Sequence, residues 1–191
     1  MKKFSLTITG SLPLLMHNAR LCDPLEPITK KVKKLTSKRN KTDEDHEELA
    51  EAEFGGGLYF DPDIGPYMPG ENIAACILKG ARLNKLGTKV ERGVLITTDI
   101  NPLAYDGPRT IAELYADKNF VHRKPVVVGT SRIIRTRPMF PEWRTQAEGL
   151  LDESQIDVDQ LVQAIENAGL FIGLGDYRPR YGRFTAVLEE V

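Results

Sequence analysis

Two stretches of this chain combine residue types that can hold a phosphate backbone. Gly173-Leu174-Gly175-Asp176-Tyr177-Arg178-Pro179-Arg180-Tyr181-Gly182-Arg183-Phe184 contains three glycines (Gly173, Gly175, Gly182), three arginines (Arg178, Arg180, Arg183) and two tyrosines (Tyr177, Tyr181). Glycine lets a backbone approach closely, a guanidinium forks onto phosphate, and a phenol ring stacks on a base. Arg178 stands where the third glycine of a dinucleotide fingerprint belongs, and the segment follows a helix rather than a first strand, so that fingerprint is excluded. The second stretch, residues 121–141, carries Arg123, Lys124, Arg132, Arg135 and Arg137 with no acid. Strand alternation puts Arg135 and Arg137 on one face and Arg132 on the other unless a bulge intervenes. Both stretches also have plain readings: Gly/Arg/Tyr loops form ordinary turns, and half-exposed strands carry charged outer faces.

Signs of catalysis are thinner. His17, His46 and His122 have no partners at metal-ligand spacing, and no HExxH, GxSxG or Walker A motif occurs. His17 and Asn18, just after the first strand, can contact a bound strand. Asp23 in the same loop can position a metal or water for phosphodiester cleavage, although Asp23-Pro24 equally makes a turn. No resident metal or cofactor is expected. Cys22 and Cys76 lack CxxC or CxxH neighbours and read as free thiols of a reducing compartment.

The elements that must position these residues are legible in part. Phe4, Leu6 and Ile8 alternate with Ser5, Thr7 and Thr9, which predicts a strand over residues 3–10 rather than a signal peptide. With no apolar run long enough to span a bilayer, a cytoplasmic protein without a membrane partner is expected. Residues 20–66 read as an inserted charged helical arm. Lys30–Lys41 holds seven bases and no acid, Asp43–Glu53 holds seven acids and no base, and Gly55-Gly56-Gly57 closes the insertion. The two short helices of this arm attract each other in the plain reading. In the sharper one the arm engages a neighbouring molecule or a nucleic acid.

Pro69-Gly70-Glu71-Asn72 opens a helix to about residue 85, striped by Ile73, Ile77, Leu78 and Ala81 and stopped by Gly87. Residues 94–98 read as a buried strand, and residues 126–137 as a long strand or hairpin. Ser154 caps a helix carrying Val158, Leu161, Val162 and Ile165, Gly169 ends it, and residues 183–191 are the last strand. Without the insertion the order is strand, helix, strand, strand, helix, strand. That predicts one α+β domain over residues 1–191 with a ferredoxin-like βαββαβ core, the modified RNA-recognition arrangement, whose open sheet face can serve as a platform.

The chain has 191 residues, 41% hydrophobic and 28% charged, with a formal net charge of −1. That suits one globular domain and excludes wholesale disorder or a full barrel enzyme. Near-neutrality argues against a basic nucleic-acid binder only until its distribution is read. Residues 43–53 hold seven of the 27 acids, so the rest of the chain carries 20 acids against 26 bases.

Tyr67-Met68-Pro69-Gly70-Glu71-Asn72-Ile73 through Leu78-Lys79-Gly80-Ala81-Arg82 resembles the signature that opens the first helix of the RAMP superfamily, the RNA-binding proteins forming the backbone of CRISPR effector complexes. Glu71-Asn72 replace its usual Ser-Ser, and Ala74-Ala75-Cys76-Ile77 add residues before Lys79-Gly80. Residues 173–184 are similar to that superfamily's glycine-rich loop, and the first strand with Gly10 and Pro13-Leu14-Leu15 to its N-terminal strand and loop. The resemblance implies Lys79 and Arg82 on phosphate and the glycine-rich loop on the backbone. It also implies the insertion as a thumb that separates nucleotides or touches the next subunit. Some relatives cut RNA with an aspartate in the loop after the first strand, where Asp23 is the nearby match.

The expectation is a non-catalytic protein that binds single-stranded RNA, or DNA, and lines up along it as a homo-oligomer or with other effector subunits. A stand-alone, virus- or prophage-borne relative fits equally. The rival expectations are an RNA endonuclease using Asp23 or His17, and an assembly or inhibitor protein acting through the charged arm.

Overall fold

A computed structural model describes residues 1–190; the expected end of the last strand at Val191 lies outside them. In chain order the elements begin with β1 (Lys2–Gly10), β2 (Leu14–Leu15), α1 (Pro27–Ser37), α2 (Asp43–Gly57), β3 (Phe60–Asp61), β4 (Gly65–Pro69) and α3 (Gly70–Leu83). They continue with α4 (Gly87–Gly93), β5 (Val94–Ile96), β6 (Ile100–Pro102), α5 (Ile111–Ala116), β7 (Val121–Val128), β8 (Ser131–Phe140), β9 (Arg144–Leu151), α6 (Val158–Asn167) and β10 (Phe184–Glu190). Among the described residues no helix is long and apolar enough to cross a membrane.

The chain forms two compact units: one from Met1–Leu14, Phe60–Asp106 and residue 141 onward, the other from Leu15–Tyr59 and Gly107–Phe140. Of the arm expected over residues 20–66, residues 20–59 fall in the second unit and 60–66 in the first.

The first unit is built on an antiparallel four-stranded sheet in the order β10-β1-β9-β5. Phe4, Leu6 and Ile8 are fully buried, because β1 is central and this face lies under the helices. Leu6 sits between Ala147 and Leu188 in the register. Helices α3 and α6 cross closely, with α3 touching β5 and α6 touching β10. Gly80 makes the crossing possible, because a Cβ there would run into the backbone of Ala164 and Ala168. The sheet's other face presents Ser5, Thr7, Gln146, Glu148, Val187 and Glu189, and none of its residues is aromatic. It is therefore no stacking platform.

Three sequence expectations need correction here. The third strand of this sheet is β9, not the 126–137 segment. The buried positions of β9 are Thr145, Ala147, Gly149 and Leu151, and the first three are too small to show the usual alternation of large apolar side chains. Gly149 leaves the space that the Phe4 ring fills. Helix α6 is capped by Asp157, whose side chain accepts from the Gln160 N–H, and not by Ser154, which lies in the preceding turn. Gly87 likewise opens α4 rather than ending α3.

In the second unit, the β7–β8 hairpin pairs without a bulge from Val121↔Pro138 to Val128↔Ser131. Thr42 and Asp45 form a reciprocal capping box on α2, whose first turn carries Asp43, Glu44 and Asp45. Lys31 and Glu48 meet at 3.1 Å, and Lys38 pairs with Asp45, so the two charged helices do attract each other. Gly55-Gly56-Gly57, expected to close the insertion, is the last turn of α2. Arg20 Nε donates to the Gly56 carbonyl at 3.0 Å and Arg20 Nη2 to the Gly55 carbonyl at 2.6 Å, satisfying acceptors that a helix end leaves open. A Cβ on Gly56 would press on Leu21 and Ile28, so the glycine is there for close packing.

Candidate nucleic-acid interface

The glycine-rich segment leaves α6 through a π-helical turn, Ala168–Ile172. Gly173, Gly175 and Gly182 all take positive φ (80°, 75° and 73°), as does Tyr177 at 53°. Leu174 N–H donates to the Gly182 carbonyl and Gly182 N–H to the Pro13 carbonyl, both at 2.8 Å, which ties the base of the loop to the segment after β1. At Gly182 a Cβ would overlap the Leu174 carbonyl, so only glycine closes the loop. Gly173 and Gly182 are buried and serve this closure, while Gly175 is half-buried.

The loop displays its side chains outward. Tyr177 is 53% exposed and stacks on Tyr181, with ring centroids 5.6 Å apart and planes inclined by 29°. Arg178 and Arg180 are exposed, whereas Arg183 is half-buried and donates from Nε to the Pro179 carbonyl at 3.0 Å. A shallow groove of about 460 Å³ runs beside the loop, lined by Lys79 of α3, by Phe171 and Ile172 of the π turn, and by Asp176, Tyr177, Arg178 and Pro179.

Cys76, one turn before Lys79 on α3, is buried and donates from Sγ to the Gly173 carbonyl at 3.2 Å. Burial pushes its thiol up to about 12, and the nearby charges of Arg178 and Lys79 pull in the opposite direction. Two cations far apart in sequence thus share one neighbourhood with two exposed aromatic rings. The groove can place phosphates on Lys79 and Arg178 and bases on Phe171 and Tyr177. Arg82, one turn beyond Lys79, is exposed.

The remaining sequence candidates lie in the second unit. Register places Arg135 and Arg137 on one face of the hairpin with His122 and Lys124, and Arg132 with Arg123 on the other. Arg123, Lys124 and Arg132 are exposed. Arg135 is ion-paired with Glu53, a carboxylate of α2 that also accepts the Thr136 N–H at 2.9 Å. Arg137 lines a cavity together with Arg135 and the exposed His17. Asn18 serves the fold: its Oδ1 accepts from Arg20 N–H at 3.0 Å, and its Nδ2 donates to the Leu58 carbonyl at 3.2 Å. Asp23 is exposed and accepts the Leu25 N–H at 2.8 Å, an Asx turn. Among the described residues no group of three or more His, Cys, Asp or Glu side chains is placed to hold a metal ion.

Phe171 was not anticipated. Gly169 was expected to end the helix, but it is buried against the Phe184 carbonyl and the turn continues through it. The available signal was the Leu170-Phe171-Ile172 run itself. It lies beyond a completed apolar stripe, and its Leu170 and Phe171 remain 54% and 57% exposed.

No family model matches the chain, and no curated protein matches it. Its fold is similar to a chain in the cryo-EM structure of the type III-B Cmr-beta bound to cognate target RNA, with 14% identity and a TM-score of 0.51. That likeness takes in all of this chain and 60% of the solved one.

Proposed function

We propose that this chain is a RAMP-like protein that binds single-stranded nucleic acid, RNA in preference to DNA, without cutting it, and assembles along the strand in the cytoplasm. The observation that carries the reading is the groove that joins Lys79 and Arg178 to the exposed rings of Phe171 and Tyr177. Cations for phosphate and flat faces for bases are the two requirements of sequence-tolerant single-strand binding. The strand order β10-β1-β9-β5, with α3 before β5 and α6 before β10, supports a ferredoxin-like core. The fold-level likeness to a chain from an RNA-bound complex supports the same direction.

The test is fluorescence anisotropy with labelled single-stranded RNA, the same sequence as DNA, and a duplex. RNA binds most tightly, its log affinity falls linearly with log salt, and the strand is recovered uncut with or without divalent metal. Salt-independent binding, or none, sinks the reading. A second check is nucleic acid co-purifying with the protein and removed by ribonuclease.

A further inference from the structure

Strand β10 is one edge of the four-stranded sheet, and among the described residues no strand pairs with its outer side. The ladder fixes which of its groups point outward. Gly10 N–H donates to the Trp143 carbonyl at 2.9 Å and Ser11 N–H to the Arg183 carbonyl at 2.8 Å. Even-numbered residues of β1 therefore bond to β9 and odd-numbered ones to β10. Thr185, Val187 and Glu189 turn their N–H and C=O groups to β1, while Ala186 and Leu188 turn theirs away from the sheet. Phe184 also faces outward, but Gly169 lies against its carbonyl.

Exposed edges are ordinarily guarded by proline, bulges or charge. Residues 184–188 contain no proline and no charged side chain, and their pairing with β1 is continuous. Val187 is 58% exposed, and Ala186 and Leu188 are only half-buried. The opposite edge, β5, is guarded by its shortness, with three residues.

We propose that β10 pairs antiparallel with β10 of a second copy, about a twofold axis at Val187. In that register Ala186 and the partner's Leu188 exchange ladder hydrogen bonds, as do Leu188 and the partner's Ala186. Val187 meets the partner's Val187 as a non-hydrogen-bonded pair, the closer kind, with Cα atoms about 4.5 Å apart. Glu189 stands opposite the partner's Thr185 and diagonal to the partner's Arg183, a charge complement that the symmetry repeats. A register centred on Leu188 instead sets Val187 against Glu189 and Ala186 against Glu190, apolar against charge. The strand is thus complementary to itself, which makes the occupant a second copy. This contact needs no nucleic acid, so it stands or falls independently of the groove.

The experiment is sedimentation velocity of the full chain, freed of nucleic acid by nuclease and high salt. So short an edge gives a reversible dimer with a dissociation constant between about 1 and about 100 μM. Ala186→Pro removes an outward N–H that β1 does not use, and Val187→Lys sets like charges face to face. Each weakens the dimer at least about tenfold. Leu95→Lys on β5, at a position 52% exposed, leaves it within about twofold. Circular dichroism verifies the fold of each variant. Mild oxidation reads the register in a Cys22→Ser background, which removes the exposed thiol. Val187→Cys cross-links across the axis. Thr185→Cys, also exposed, does not, because its counterpart lies beyond the disulfide reach of about 7 Å. A protein that stays monomeric at about 100 μM overturns the proposal. So does a dimer that either folded variant, Ala186→Pro or Val187→Lys, leaves intact, or equal cross-linking by Thr185→Cys.

Discussion

Replacing Lys79 and Arg178 together by alanine tests the groove most directly, because both side chains are exposed and their loss leaves the core untouched. α3 and the glycine-rich loop carry four exposed cations: Lys79, Arg82, Arg178 and Arg180. If each neutralises one phosphate of a single strand, log affinity falls against log salt with a slope of about −2.8. Raising salt from about 50 to about 200 mM then costs about 50-fold in affinity. The double variant retains two of the four cations, so its slope is about −1.4 and the same change costs about sevenfold. Anisotropy titrations at several salt concentrations read both slopes, and circular dichroism verifies folding. A slope unchanged in the double variant would show that the phosphates lie elsewhere, and the groove assignment would fall with it.

Four further outcomes follow from the structure. Phe171→Ala weakens single-strand binding by about 1–3 kcal/mol without altering the salt slope, because it removes a stacking face and no charge; a changed slope contradicts the division of labour. Glu53→Ala leaves the Arg135 guanidinium and the Thr136 N–H without their carboxylate. The cost in chemical denaturation is about 2–4 kcal/mol, discounted because Arg135 is partly solvated, and a loss below about 1 kcal/mol refutes the buried-pair account. Native protein shows one reactive thiol, the exposed Cys22, and denatured protein shows two. The Cys76 pKa is raised in the folded state to about 12 from an ordinary value of 9.0. Its stabilising contribution is therefore complete below pH 9.0 and declines towards pH 12, where the unfolded thiol ionises and the folded one does not. Cys76→Ala should show less alkaline destabilisation over that window, and an equal loss in both proteins argues against burial as the cause.

Local pattern carried β1, α3, α6 and the hairpin, since each advertises its period in large apolar residues or, in α3, its opening at Pro69-Gly70. It missed β9, where Thr145, Ala147 and Gly149 are buried without being large, and it did not show that Gly55-Gly56-Gly57 is helical. In both places glycine is chosen for what packs against it, the Phe4 ring or the Leu21 and Ile28 side chains, and that neighbour is remote in sequence.

The sequence alone determined the chemistry on offer: a loop of glycine, arginine and tyrosine, a helix carrying Lys79 and Arg82, and acids segregated from bases in α1 and α2. Only the tertiary structure decided which of these groups meet. Gly80 lets α3 and α6 approach, the Cys76 thiol reaches the Gly173 carbonyl, and the π turn delivers Phe171 beside Lys79, while Arg135 is withdrawn into an ion pair with Glu53. Such meetings depend on close packing between distant segments, a property that residue type and spacing do not encode.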